Sequence, residues 1–235
     1  MIDSEDLYDV YIENGQKKVF AVAVHWPGWC RYGRDEESAM DVLVACARRY
    51  ASIPSTAKLD FSLPASASDL NIVAHLDGNA TTDFGAPSQM LKDEWDLLSE
   101  EDLGRYEALI FGCWNALDQA VESGRGKTLK KGPRGGGRDL EKIIEHVHQA
   151  ERAYLAKLGW AVPEAKGEIG ERISLLRREI FAGLQAAAAG ELPRQGPRGG
   201  RRWPPGFFAR RLAWHAVDHA WEIEDRIQAG KVNQA

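Results

Sequence analysis

The sequence predicts an α+β chain: a small ββαβ module over residues 1–85, then a four-helix bundle over residues 95–230. Three observations carry that expectation. The first third holds short β-prone runs separated by Asn, Pro and Gly. The remainder holds four stretches of roughly 20 residues whose apolar positions recur at three and four. The last of those stretches carries His215 and His219, one helical turn apart.

Residues 8–12 alternate and are rich in β-formers, Asn14-Gly15 signals a tight turn, and residues 19–24 are a second β-prone run. Together they read as a hairpin. The run His25-Trp26-Pro27-Gly28-Trp29-Cys30 then breaks the strand. Asp35-Glu36-Glu37 puts negative charge where a helix macrodipole favours it, and the helix runs to about Tyr50 on an Ala39, Val42, Leu43, Cys46 and Ala47 face. Residues 70–75 read as a third strand, and residues 81–88, with Gly85 and Pro87, as a linker. Ser99 caps the first long helix, which runs to about Ser123 before Gly124. Asp139 caps the second, which Gly159 stops after Leu158. The third spans about 169–189, ahead of Gly190. The fourth follows Trp203-Pro204-Pro205 and ends near Gly230.

Two basic loops separate these helices, residues 125–138 and 194–202, and both contain Gly-Pro-Arg-Gly-Gly. They read either as solvated connectors or as patches that attract an anionic small-molecule substrate. A net charge of −5 argues against general nucleic-acid binding. Cys30, Cys46 and Cys113 form no CxxC pair and no disulfide framework, which fits a reducing, cytoplasmic setting. The acidic start lacks the apolar stretch of a signal peptide, and no apolar run is long enough to span a bilayer, so no membrane partner is expected. Eight tryptophans suggest well-filled pockets or aromatic-lined clefts.

Two imidazoles on one largely apolar helix face have two readings. They bind a metal, or they are core histidines satisfied by Asp218, Glu222 or backbone groups. The second long helix offers a further histidine. His146 and His148 point about 200° apart, so one of them faces the core. His146 lies within the apolar stripe of Ile143 and Ala150 and is the candidate ligand; His148 is expected at the solvated surface. His25 and His75 read as strand-end residues rather than ligands.

Trp26-Pro27-Gly28 followed by Gly33-Arg34-Asp35-Glu36-Glu37-Ser38-Ala39 resembles the hairpin-to-helix passage of HicB-like domains, over roughly residues 7–80. The resemblance implies a docking module of the kind found in toxin–antitoxin pairs. No helix-turn-helix or ribbon-helix-helix pattern accompanies it. His146-Val147-His148-Gln149-Ala150-Glu151-Arg152-Ala153-Tyr154-Leu155, with Trp214-His215-Ala216-Val217-Asp218-His219, resembles the DinB-like four-helix-bundle superfamily over about residues 95–230. That resemblance implies a divalent metal (Zn, Ni or Fe) held by His146, His215 and His219. It also implies transferase or isomerase chemistry on a low-molecular-weight thiol such as bacillithiol or mycothiol.

Three neutral imidazoles leave a divalent ion with open positions, as in catalytic sites. The expected function is a metal-dependent enzyme that activates a thiol or a water, a thiol-dependent transferase or a hydrolase. Glu222, one turn beyond His219, is the candidate general base or outer partner of a ligand, unless it pairs with Arg226 instead. Asp218 is a weaker outer partner. The alternative is a non-catalytic metal-binding or regulatory protein docking through its first module. Either form is compatible with a homodimer.

Overall fold

A computed structural model describes residues 7–95, 98–131, 137–162 and 166–227. Residues 1–6, the 132–136 centre of the first basic loop and the expected helix end at Gly230 lie outside them. The chain is α+β. Four strands, β1 (Tyr8–Asn14), β2 (Val19–Ala23), β3 (Cys30–Gly33) and β4 (Leu70–Asp77), form one mixed sheet of order β3-β2-β1-β4. The helices are α1 (Glu36–Tyr50), α2 (Ser52–Thr56), α3 (Ala80–Phe84), α4 (Glu100–Gly124), α5 (Leu140–Leu158), α6 (Ile169–Ala188) and α7 (Pro205–Arg226).

The hairpin forms as the Asn-Gly turn dictates, with Val10 opposite Ala23 and Asn14 opposite Val19. β4 joins β1 in parallel, across the connection that contains α1. Asp35 caps α1 in a reciprocal box with Ser38. Trp29 donates its indole N–H to the Leu43 carbonyl at 2.9 Å, and the Tyr50 hydroxyl donates to the Pro27 carbonyl at 2.9 Å. These bonds tie the segment after β2 to α1.

Two expectations need correction. The module is βββαβ rather than ββαβ, because Cys30–Gly33 pairs with β2 as an edge strand. Four residues with Arg31 among them give no alternation for a sequence pattern to detect. Within the expected 81–88 linker, residues 80–84 form a helical turn capped by Asn79. Buried Glu13 accepts backbone N–H bonds from Ser88 at 2.9 Å and Gln89 at 3.0 Å, which fixes the rest of that segment under the sheet.

Sheet and helices share one apolar core. Val10, Ile12, Leu43 and Tyr50 belong to the same buried cluster as Leu109, Ile143, Leu184 and Ala216. The opposite sheet face, Tyr11, Phe20 and Val22, meets Trp214 of α7. Glycine at position 28 is required by both conformation and space: its φ is +95°, and a Cβ there would sit 3.0 Å from the Cys113 sulfur. α7 is therefore covered by the sheet module, α4 and α5, and is buried nearly all round. Among the described residues, no helix is long and apolar enough to cross a membrane.

Candidate metal centre

α5 and α7 build the site. Past Gly206, α7 has no Gly or Pro to interrupt it, so His215 and His219 leave the same face one turn apart. α5 is held at one end by Asp139, which accepts the Lys142 backbone N–H at 3.0 Å. Gly159 ends it in the left-handed region at φ +109°. α5 lies between α6 and α7, and His146 is on its α7 side.

The three rings converge edge to edge. His215 Nε2 lies 3.3 Å from His146 Nε2 and 3.2 Å from His219 Nε2. Ring centroids are 4.6–5.2 Å apart at steep angles, so ring edges meet rather than faces. A ligand atom from each of the three lies within 4.8 Å of those from the other two, close enough to hold a metal ion. His215 and His219 are buried and His146 is partly exposed, which leaves one approach from solvent.

Burial holds the His146 and His215 imidazoles neutral. It lowers His146 to about 4, with the neighbouring His219 adding to the effect. It holds His215 well below the usual histidine range, again with His219 and His146 contributing. Neutral rings keep a lone pair for a metal.

The donor set fits a divalent ion. Nitrogens bound about 2.05 Å from a tetrahedral zinc lie about 3.3 Å from one another. The two separations from His215, 3.2 and 3.3 Å, match that edge, and the third pair lies within 4.8 Å. The buried Nδ1 of His215 has no hydrogen-bond partner among the described residues.

Glu222 contacts both His219 and Arg226. One carboxylate oxygen is 2.7 Å from His219 Nδ1, and the other accepts from the Arg226 guanidinium. These partners hold the Glu222 carboxyl below its ordinary range, the His219 bond most strongly. An ionised Glu222 requires His219 to carry its proton on Nδ1, which turns the Nε2 lone pair toward the other rings. Arg226 is itself buried and donates to the Lys130 carbonyl at 2.8 Å and the Arg138 carbonyl at 2.9 Å. The ends of the first basic loop thus brace the cluster, a role that its charge alone did not reveal.

The remaining candidates are placed as follows. Asp218 approaches Arg31 at 3.9 Å and is not bonded to the histidines. His75 pairs with Glu36 at 2.8 Å and His25 approaches Asp9 at 3.8 Å, so neither joins the cluster. His148 is not solvated as expected. It is 6% exposed, and its Nδ1 lies 3.3 Å from Arg172 of α6. α5 is covered on two sides, so histidines about 200° apart are both sheltered. Arg210 points under the sheet to Glu94 and the Tyr11 ring, whereas Arg211 lies over Tyr154 and Trp214 beside the cluster. Tyr154 closes the cluster's flank, its ring 5.5 Å from that of His215.

No protein-family model, no curated protein and no solved structure matches the chain.

Proposed function

We propose that the chain binds one divalent metal ion through Nε2 of His146, His215 and His219 and uses it as a DinB-like enzyme, activating a thiol or a water. The observation that carries this reading is the convergence of three imidazole nitrogens, with His215 Nε2 3.3 Å from that of His146 and 3.2 Å from that of His219. An all-imidazole donor set suits zinc, nickel or iron rather than magnesium or calcium, which take oxygen ligands. Three protein ligands and a partly exposed His146 leave room for an exchangeable fourth partner. A bound ion would supply the charge that lowers the pKa of a thiol or water.

The chain's own residues hold and orient. Glu222 fixes the His219 tautomer from behind, and Arg226 fixes Glu222. With both oxygens engaged, Glu222 acts as a positioning residue rather than as the proton acceptor. Low basicity at His146 and His215 keeps their nitrogens available through the neutral range.

The test is the visible spectrum of the Co2+-loaded protein. A low-molecular-weight thiol or hydroxide is expected to change the ligand-field bands between about pH 6 and 9, because an open position accepts it. Bands unmoved by either would contradict the enzyme reading and leave a closed metal-binding protein.

A further inference from the structure

The second basic loop, residues 194–202, is not a loose connector. Gly196 donates its N–H to the Gly200 carbonyl at 2.8 Å, and Gln195 and Arg201 form an antiparallel bridge. Arg202 N–H donates to the Arg194 carbonyl at 3.1 Å. Gly199 makes the reversal at φ +76°, where a side chain would be strained. The hairpin therefore holds Arg194 and Arg202 side by side.

Both arginines line a cavity of about 520 Å³ between the end of α6, this loop and the start of α7. That is a usual size for a small-molecule site. Its other walls include the indoles of Trp95 and Trp203, with Leu158, Leu192 and Pro205. Among the described residues none that lines it is a carboxylate, so the two guanidinium charges meet no described counter-charge within it. Arg194 lies 5.5 Å over the Trp95 ring, and its guanidinium donates to the Trp95 carbonyl at 2.8 Å. Trp203 is anchored by its N–H on the Lys157 carbonyl at 2.9 Å. Gly159 is also needed here: a Cβ on it would lie 2.2 Å from the Arg202 guanidinium.

We infer that this cavity binds a small aromatic carboxylate, with its ring against Trp95 and Trp203 and its acid group on Arg194 and Arg202. The planar guanidinium fork matches a carboxylate, and the indole faces match a flat apolar ring. Cationic ligands are repelled by the same two charges. Because the hairpin is already ordered, little conformational freedom remains to be lost on binding. The cavity is separate from the histidine cluster, with Tyr154 between them. That ring meets Trp203 at 5.2 Å on one side and His215 at 5.5 Å on the other. The inference does not depend on metal binding.

The test is isothermal titration in EDTA with 2-naphthoate, 2-naphthalenemethanol, 2-naphthylmethylamine and phenyl phosphate. Naphthoate is expected to bind at least about tenfold more tightly than the alcohol, and the amine not at all. Raising salt weakens naphthoate binding, as expected for a charged pair open to solvent. The double variant Arg194→Gln/Arg202→Gln loses at least about tenfold in affinity without a change in thermal midpoint, and Trp95→Leu also weakens binding. His219→Ala leaves naphthoate binding intact. Equal binding of alcohol and acid, undiminished binding by the double variant, or loss of binding in His219→Ala would overturn the inference. Tighter binding of phenyl phosphate would overturn the carboxylate assignment.

Discussion

Replacing His215 with Ala is expected to weaken Zn2+ binding by more than about 100-fold, the upper end of what outer partners of a metal site contribute. His215 is the hinge of the cluster, because its Nε2 lies 3.3 Å from that of His146 and 3.2 Å from that of His219. His146→Ala and His219→Ala are expected to lose comparable affinity. Glu222→Gln should cost less, about 10–100-fold, because the amide keeps the shape but binds Nδ1–H and Arg226 more weakly. Competition titration against a chromophoric chelator gives these affinities directly. A purely structural cluster predicts a different ranking, with all four proteins binding zinc equally weakly. It also predicts that zinc leaves the stability of the wild type unchanged, whereas a metal site stabilises the wild type and not His215→Ala.

Glu151→Gln is expected to stabilise the protein above neutral pH and to change little below about pH 4.5. Glu151 is 3% exposed and accepts the Trp114 indole N–H at 2.8 Å. Burial raises its carboxyl from 4.5 to about 7, only partly opposed by the Trp114 bond and Arg177. The folded chain then retains a proton that the unfolded chain has released. Stability from this group is complete below pH 4.5 and is lost as pH rises through 7. The loss is about 3 kcal/mol by pH 8, and Gln, which never ionises, avoids it. His146 and His215 act with the opposite sign, because their lowered values make the unfolded chain the better proton binder in mild acid. Their contribution is common to both proteins and cancels in the difference. Urea titrations in EDTA at several pH values measure that difference. A pH-independent difference would show that Glu151 is ionised throughout.

Much of this was legible in the sequence, and the failures have physical causes. Caps at Asp35, Ser99 and Asp139 and the stop at Gly159 marked helix ends, because the signals are local and the backbone must satisfy its end groups wherever the helix packs. The meeting of His146, His215 and His219 was legible because a four-residue spacing fixes a face, and because the stripe of α5 singled out His146. His148 was misplaced because spacing gives angles within one helix and not the number of neighbours around it. Coverage by both α6 and α7 is a tertiary fact. The edge strand Cys30–Gly33 escaped for a related reason, since its only partner is β2 and its pattern is too short to alternate. The Glu222–Arg226 pair was open to the sequence as a four-residue spacing on one helix, but the bracing of Arg226 by carbonyls at residues 130 and 138 joins segments about 90 residues apart that no local pattern links.

X-ray absorption at the zinc edge of the loaded protein tests the metal centre most directly. Three imidazole nitrogens at about 2.0–2.1 Å with one further light atom are expected, falling to two imidazoles in His146→Ala. A shell of oxygens alone, a sulfur ligand, or a wild-type spectrum that His146→Ala leaves unchanged would contradict it.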